Sequence, residues 1–319
     1  MSTRPLQTRP DEILFRAGTG SFALLLITIV LAIGTVLYSG SLLSIREFGW
    51  SFWLTDTWDP VAGRFGARPF IWGTLYSSIL ALVISTPIAL GIAIYVSELA
   101  PEAIKRPLVF LTELLAAIPS IVYGLWGIFV LVPFVRQLQV ATPAWMADLP
   151  LFSGPPLGVG MLSAALILSI MVVPFTSSVA REVLKAVPQS QREGAYALGA
   201  TRWEAIRMAL FYARTGIVGA VMLGFGRALG ETMAVTMVIG NSPNVSLSLY
   251  APQYTMAAVL ANEFAEAADD LYLNALMEIG LVLFAITLAV NIVSRAFIWS
   301  MGRQRRPRIV RTAAVREGA

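Results

Sequence analysis

The fold is decided by the stretch from Arg181 to Gly240, which reads REVLKAVPQSQREGAYALGATRWEAIRMALFYARTGIVGAVMLGFGRALGETMAVTMVIG. Its first half, up to Arg214, is polar and basic, with six Lys or Arg residues and three Glu residues. Its second half is apolar and long enough to cross a bilayer, yet it contains Arg227 and Glu231. The pattern predicts a pair of polar helices at the cytoplasmic surface that leads directly into a membrane-spanning helix with two embedded charges.

The composition of the whole chain indicates an integral membrane protein. Of its 319 residues, 57% are hydrophobic and only 13% are charged, against about 25% charged residues in ordinary globular proteins. A soluble core of this size could not hide so much apolar surface. We therefore expect an all-α, polytopic membrane protein with six transmembrane helices.

Six segments meet the requirement of about 20 mainly apolar residues for a membrane span. They are Ser21–Leu43, Phe70–Val96, Leu108–Phe134, Leu157–Ala180, Thr215–Gly240 and Leu276–Met301. Pro87, Pro119 and Pro174 fall inside three of them, which neighbouring helices of a membrane bundle can accommodate. The predicted organisation is a polar cytoplasmic segment 1–20, a transmembrane domain 21–301 with its polar loop near 181–214, and a basic cytoplasmic tail 302–319.

The distribution of Lys and Arg predicts the orientation of these spans. With the N-terminus in the cytoplasm, 18 of the 23 Lys and Arg residues lie in inner segments and four in outer loops. Loops rich in Lys and Arg remain in the cytoplasm. Both termini are therefore predicted to be cytoplasmic, and membrane topology explains the positive net charge of +4 without any nucleic acid.

Several classes of chemistry are excluded by composition. The chain contains no Cys and no His, so it has no disulfide, no thiol nucleophile, no histidine base and no metal site built from these residues. A P-loop ATPase needs a lysine after a glycine-rich loop, but Lys105 and Lys185 are the only lysines and neither follows one. We predict no catalytic residue and no metal site in this chain.

The outer loops contain two groups of residues that bear on partners. Aromatic side chains in the first outer loop are expected to anchor the chain at the membrane interface: Phe48, Trp50, Phe52, Trp53 and Trp58. Acidic side chains in the third outer loop are read as a solvated face, with docking of a basic external partner as the alternative: Glu263, Glu266, Asp269 and Asp270.

The polar loop contains a short motif before the fifth span. Glu193, Gly194 and Ala195 are followed four residues later by Gly199, and Pro188 precedes them. Proline suits the start of a helix, and Gly199 suits a stop followed by a restart. Two short helices at an angle would form a compact projection into the cytoplasm. An ordinary amphipathic juxtamembrane helix is the alternative on spacing alone.

The motif and the segments after it resemble a known family. Residues 193–199 resemble the EAA loop of ABC-importer membrane subunits, in the position before the penultimate span that the family gives it. GRALGETMAV at 226–235 resembles the matching segment of phosphate-specific importer permeases. The continuation TMVIGN, and AVLANEFAEA at 258–267, resemble the C-type rather than the A-type permease subunit. The resemblance covers roughly residues 70–301.

The resemblance implies a type I ABC importer permease in the bacterial cytoplasmic (inner) membrane. The expected partners are a second homologous permease of the A-type, two ATP-binding subunits and an extracytoplasmic phosphate-binding protein, with phosphate ion as substrate. ATP would be used by the partner subunits, and no cofactor would be bound by this chain. Glu193, Ala195 and Gly199 correspond to the residues that couple the permease to the ATPase.

The sequence departs from the family pattern at two places. Gly194 stands where the general motif has Ala, and residues 209–212, Ala-Leu-Phe-Tyr, replace the usual ending with a proline. The missing proline bears on the direction in which the chain leaves the loop.

Arg227 and Glu231 are the candidate residues of the substrate pathway. Four residues apart on one helix face, they can pair, and Gly224, Gly226 and Gly230 would allow another backbone to approach. A permanent ion pair that fixes helix packing is one interpretation. The other is a transient anion site, in which the Arg227 guanidinium meets phosphate oxygens through paired hydrogen bonds and Glu231 compensates the charge between substrates.

Glu231 also offers a basis for selectivity. Phosphate near neutral pH retains a P–OH group that can donate to a carboxylate, whereas sulfate has no proton to donate.

The alternative functions are a sulfate or molybdate permease, a self-sufficient secondary transporter and an intramembrane enzyme. The first commonly has Phe where this chain has Thr232, the second leaves the EAA-like loop without a role, and the third lacks a nucleophile–base pair in the spans.

Overall fold

The computed structural model describes residues 10–303, and within them the regular structure is helical. Thirteen α-helices follow in chain order: α1 Pro10–Gly40, α2 Leu42–Phe48, α3 Arg68–Ile94, α4 Glu102–Ala117, α5 Ser120–Trp126, α6 Val132–Val140, α7 Ala144–Ala147, α8 Met161–Lys185, α9 Gln189–Ala197, α10 Arg202–Leu229, α11 Met233–Val238, α12 Met256–Glu263 and α13 Asp270–Arg303. A 3₁₀ turn, Gly49–Trp53, follows α2. Two π-helical segments, Tyr95–Leu99 and Gly127–Leu131, extend α3 and join α5 to α6.

Six helical segments of the described chain are long and apolar enough to cross a membrane, which confirms the predicted number. They are Leu14–Gly40, Arg68–Leu99, Ser120–Val140, Met161–Lys185, Arg202–Leu229 and Asp270–Met301. The predicted polar segment 1–20 already becomes helical at Pro10. Most of the predicted tail 302–319 lies outside the described residues, and α13 ends at Arg303.

Two of the predicted spans are broken, the third at Pro119 and the fifth at Gly230. The third was expected to run without interruption from Leu108 to Phe134, but α4 ends at Ala117 and α5 begins at Ser120. Pro119 causes this break, because the residue before a proline avoids helical geometry, and Ile118 is extended with φ −65° and ψ 129°. Pro87 and Pro174, in contrast, lie inside the uninterrupted helices α3 and α8.

The centre of the fold is formed by α8. In its most apolar window, 61% of the residues are buried, against none in the corresponding window of the first span. Helix α8 packs along α3 and α10, and its middle joins a core with α5 and α11 that includes Ile167, Leu168 and Val238. Small residues on the first span allow a second contact, since Gly34 and Gly40 lie against Phe284 and Met277 of α13.

The first outer loop folds into a second core, so the interfacial role expected for its aromatic residues is wrong for Phe52. Phe52 is fully buried, and Phe48, Trp53 and Trp58 are partly buried in the same cluster. Only Trp50 of the predicted set is largely exposed, at 85%. Aromatic pairs account for this packing, because edge-to-face contacts add to the burial of apolar area.

A carboxylate of the third outer loop completes this cluster. Glu263 Oε2 accepts a hydrogen bond from Trp58 Nε1 at 2.7 Å and another from the Tyr272 hydroxyl at 2.6 Å. Beside it, burial raises the pKa of the Tyr254 hydroxyl well above its usual value, while Asn262 donates to the same oxygen. Glu263 therefore holds the outer loops together and is not simply part of a solvated face.

Candidate coupling surface and substrate gate

Helix α9 carries the predicted coupling motif. It begins after Pro188, whose fixed φ favours a helix start. It ends at Ala197, and Gly199 follows with φ +83°, a conformation that side chains with a Cβ rarely adopt. The amide of Ala200 donates to the Ala195 carbonyl at 3.1 Å, which closes the end of the helix.

The chain restarts as a helix at Arg202. Thr201 and Glu204 form a capping box, in which each side chain accepts from the backbone N–H of the other residue. The predicted stop at Gly199 and restart are therefore confirmed. The second helix, however, is not short, because α10 continues without a break to Leu229. It passes straight through residues 209–212, so the absent proline leaves one long helix instead of a bend.

The coupling residues have different environments. Ala195 is buried against the rest of the chain, whereas Glu193 and Gly199 are exposed. Large apolar side chains near them also face outward, with Leu198 91% exposed and Trp203 64% exposed. The end of α9 thus exposes a carboxylate together with large apolar side chains.

The base of this projection contains residues that sequence reasoning missed. Arg192, directly before the motif, forms a bidentate ion pair with Glu98 at the end of the second span. Arg202 donates to the Glu98 carbonyl oxygen at 2.7 Å. The sequence pointed to Arg192 only through its position directly before the motif. Its partner lies 94 residues away.

A second ion pair links the C-terminal half of α4 to the C-terminal part of α8. Arg181, only 7% exposed, donates from Nη2 to Glu113 at 3.3 Å and lies 3.1 Å from a Glu182 carboxylate oxygen. Its Nε and Nη1 have no hydrogen-bond partner among the described residues. Glu113 therefore has a cationic partner on a neighbouring helix.

Helix α10 joins the coupling surface to the candidate gate. Its 28 residues cover about 42 Å at 1.5 Å per residue, which exceeds the hydrocarbon thickness of about 30 Å. Helix α9 precedes one end of α10, and Arg227 lies two residues before the other end. One helix without proline thus connects the two candidate sites.

Arg227 and Glu231 do not share one helix face, and that expectation is wrong. Gly230 terminates α10, so Glu231 and Thr232 lie in the connection to α11. The described residues contain no ion pair between Arg227 and Glu231. Glycine after the last helical residue is a common helix terminator, and here it separates the two charges by a turn of the chain.

Each charge has a separate environment. The exposed Arg227 guanidinium carbon lies 5.7 Å from the centroid of the Phe175 ring on α8, within the range of a cation–π contact. Glu231, which is partly buried, receives a hydrogen bond from the Ala234 amide at 3.4 Å and so caps the start of α11. At the candidate gate, Arg227 thus lies beside an aromatic ring, whereas Glu231 is held by the backbone of α11.

The three glycines near the gate differ in their surroundings. A Cβ at Gly224 would lie 2.3 Å from Thr176 Oγ1 and 3.0 Å from a Val172 methyl, so this glycine permits close packing of α10 on α8. At Gly226 a Cβ would meet nothing within 4 Å, and at Gly230 only the Gly226 carbonyl at 4.0 Å. These two glycines face open space in the described chain.

The two broken spans meet beside the gate. Helix α11 packs on α5, and a Cβ at Gly124 would lie 3.2 Å from the Ala234 Cα. Across the break before α5, the Tyr123 hydroxyl donates to the Leu115 carbonyl at 2.8 Å. Interrupted backbone at membrane depth occurs where it is buried in protein or lines a cavity, as at this junction.

Comparison with known proteins identifies the class of this chain. Residues 85–303 match the family described as "Binding-protein-dependent transport system inner membrane component". The match covers more than half of the chain, and the chain belongs to this family. It is a multi-pass inner membrane protein and a permease subunit of an ABC transporter, which implies ATPase and binding-protein partners.

Relatives define the branch of the family. The chain is 48% identical over 293 residues to "Phosphate transport system permease protein PstC" of Pasteurella multocida, covering 90% of this chain and 91% of the relative. It is 49% identical over 296 residues to the protein of the same name from Haemophilus influenzae, covering 91% and 94%. A "Probable phosphate transport system permease protein PstC" of Methanocaldococcus jannaschii is 39% identical over 274 residues, covering 84% and 87%. The predicted resemblance to the C-type permeases is confirmed.

A solved structure supports the fold. The chain is similar to a chain of the MetNI methionine ABC transporter in an inward-facing conformation, with a TM-score of 0.55. The alignment covers 72% of this chain and 94% of that chain at 16% identity, so the similarity concerns the fold alone. The predicted type I importer permease fold is confirmed.

Proposed function

We propose that this chain is the C-type permease subunit of an ATP-driven phosphate importer and forms half of its translocation pathway. The observation that carries this proposal is the extent of similarity to PstC proteins, which are 48–49% identical over about nine tenths of the chain. The other half of the pathway would come from a homologous A-type permease. Two ATP-binding subunits would lie below and an extracytoplasmic phosphate-binding protein above.

Helix α9 is the proposed docking element for the ATPase. Glu193, Ala195 and Gly199 lie on or directly after it, and the exposed Leu198 and Trp203 would enter the contact. Helix α10 would carry the movement of α9 toward the gate, since it is one uninterrupted helix. ATP is used by the partner subunits, and this chain binds no cofactor of its own.

The gate would act on phosphate through Arg227 and Glu231. The exposed guanidinium of Arg227 can donate two parallel hydrogen bonds to phosphate oxygens. Glu231 would accept a hydrogen bond from the remaining P–OH group and thereby disfavour sulfate. The separation of the two residues at the end of α10 supports this proposal over a permanent ion pair, because no ion pair joins them within the described chain.

The proposed orientation places both termini and α9 in the cytoplasm. It is testable because the chain contains no natural cysteine. Ser190→Cys on α9 should react with a membrane-impermeant maleimide only in inside-out vesicles. Ala265→Cys in the third outer loop should react with it only in intact cells. The reverse result would contradict the orientation.

The function is tested by uptake of labelled phosphate into right-side-out vesicles. These vesicles contain this chain with its permease, ATPase and binding-protein partners. We expect uptake that requires ATP and resists an excess of sulfate. Preferential sulfate or molybdate uptake would favour the alternative permease. Uptake without any ATPase subunit would favour a secondary transporter.

A further inference from the structure

The contact between Arg192 and Glu98 is a densely bonded ion pair. Arg192 Nη2 lies 2.6 Å from Glu98 Oε1, and Arg192 Nε lies 3.2 Å from Glu98 Oε2. Both side chains are shielded, with 21% of the Arg192 and 10% of the Glu98 side chain exposed. A planar guanidinium that meets both oxygens of a carboxylate fixes orientation as well as distance.

The same guanidinium also binds the end of α8. Arg192 Nη2 donates to the Leu184 carbonyl at 3.0 Å, and Nη1 donates to the Val187 carbonyl at 2.9 Å. The last carbonyls of a helix lack partners within the helix and attract cations. Arg192 therefore caps α8 while it holds the end of the second span.

Glu98 is connected to a fourth element. Its backbone carbonyl accepts from Arg202 at the start of α10. Glu98 belongs to the π-helical segment Tyr95–Leu99, which ends the second span where α3 packs on α8. One ion pair thus ties α9 to α3, α8 and α10.

The position of this pair has a mechanical consequence. The exposed end of α9 is joined to α10 by the short connection at residues 198–201. Without the ion pair, a displacement of α9 would reach the end of the second span only by way of α10, through the Arg202 hydrogen bond to the Glu98 carbonyl and through apolar packing. With it, α9 and the inner end of the second span must move together, and α3 packs along α8 toward the core that contains α5 and α11.

We propose that the Arg192–Glu98 pair is the joint that transmits the movement of α9 to the second and fourth spans, and so determines the amount of substrate moved per ATP. The proposal rests on the proposed importer function. Both residues are positioning residues, because they act through the helices that they join. Loss of the joint would leave the ATPase able to hydrolyse ATP while the spans follow incompletely.

The test uses the complete importer in proteoliposomes, with phosphate uptake and ATP hydrolysis measured on the same sample. The variants are Arg192→Gln, Glu98→Gln, the double variant and the conservative Arg192→Lys. We expect each Gln variant to lower the ratio of phosphate to ATP by about tenfold, since charge-assisted hydrogen bonds are lost. ATP hydrolysis should stay within about twofold, and Arg192→Lys should be intermediate because it keeps the charge but loses the fork.

The double variant separates a shared function from two independent ones. If the residues act as one joint, its ratio should equal that of a single variant, because effects within one contact are not additive. Glu102→Gln and Lys105→Gln are the matched controls. This ion pair is 3.1 Å long and lies within α4, and among the described residues it joins no other element. A normal ratio in the variants, effects that multiply, or a parallel fall of uptake and hydrolysis would overturn the proposal.

A distance measurement tests the joint without any substrate. It can also be made on variants whose complexes assemble poorly. Spin labels at Ser190→Cys on α9 and Val83→Cys on α3 should keep one separation with and without a non-hydrolysable ATP analogue. In Glu98→Gln the distance distribution should broaden when the analogue binds. Equal distributions in both proteins would contradict the joint. Absence of phosphate uptake by the unmodified importer would instead contradict the proposed function and leave this measurement informative.

Discussion

The two ends of α10 are held in different ways. At its start, the backbone is capped by Thr201 and Glu204, and Arg202 and Arg192 both bond Glu98. At its other end, Arg227 is exposed without an ion pair in the described chain. The polar groups are paired at the start of α10, where the chain holds itself together, and Arg227 remains available at the end where substrate is expected.

This contrast explains how one helix can serve two functions. Movement imposed at the start of α10 requires rigid attachment, which bidentate and capping hydrogen bonds provide. In the proposed function the other end must bind and release an anion, for which a permanently satisfied cation is poorly suited. The contrast predicts that substitutions at the gate lower phosphate uptake most. Substitutions at the start of α10 should instead change the ratio of phosphate moved to ATP hydrolysed.

The largest effect is expected for Arg227→Gln. Phosphate uptake should fall about 100-fold, because two charge-assisted hydrogen bonds of about 1.5–3 kcal/mol each are lost. ATP hydrolysis without binding protein should stay within about twofold. The measurement is ATP-dependent uptake at matched abundance, with Arg136→Gln on α6, also exposed, as the control. Undiminished uptake would make Arg227 a packing residue.

The next effect compares two glycines on the same helix. Gly224→Ala places a Cβ 2.3 Å from Thr176 Oγ1, so it should destabilise the subunit by about 1–3 kcal/mol, as overpacking does. Gly226→Ala meets nothing within 4 Å and should stabilise the helix by about 0.5–1 kcal/mol. Thermal unfolding of the purified subunit in detergent measures both. Equal destabilisation would contradict the packing described for Gly224.

At the coupling end, Gly199→Ala should loosen the end of α9. A left-handed residue with a Cβ costs about 1–2 kcal/mol, and Gly199 has φ +83°. We expect the amides of α9 to exchange hydrogen about tenfold faster. Gly194→Ala is the matched control, since this helical glycine has open space around it. Unchanged exchange in Gly199→Ala would argue against a fixed end of α9.

The smallest effect concerns selectivity. Glu231→Gln keeps the size of the side chain and its contact with the Ala234 amide but removes the negative charge. Sulfate would then no longer face an unpaired carboxylate, so the preference for phosphate over sulfate should fall about fivefold. Competition of the two anions for uptake measures it. An unchanged preference would assign selection to the binding protein alone.

Local patterns predicted a large part of this architecture. Apolar length gave the six spans, and Pro188 and Gly199 predicted the bounds of α9, because these residues act through their own backbone geometry. The break at Gly230 was missed because the apolar run continues through it to Gly240. Composition reports that a segment is apolar but does not report whether it is one helix.

Contacts between distant residues could not be predicted. Glu98 and Arg192 are separated by five α-helices in the chain, and their pairing depends on how α3, α8 and α9 pack. Phe52 was assigned to the membrane interface because an aromatic side chain suits both that position and a buried core. In a membrane protein, lipid-facing and protein-facing residues are similarly apolar, so hydrophobicity does not separate them.

The packing of α1 on α13 has a consequence for synthesis. The contacts of Gly34 and Gly40 with Phe284 and Met277 join the first span of the chain to its last. They cannot form until translation of α13 is complete. Until then α1 must remain in the bilayer alone, and its composition permits this, because no charged residue lies between Arg16 and Arg46. Among the described residues, the bundle is closed by its last helix.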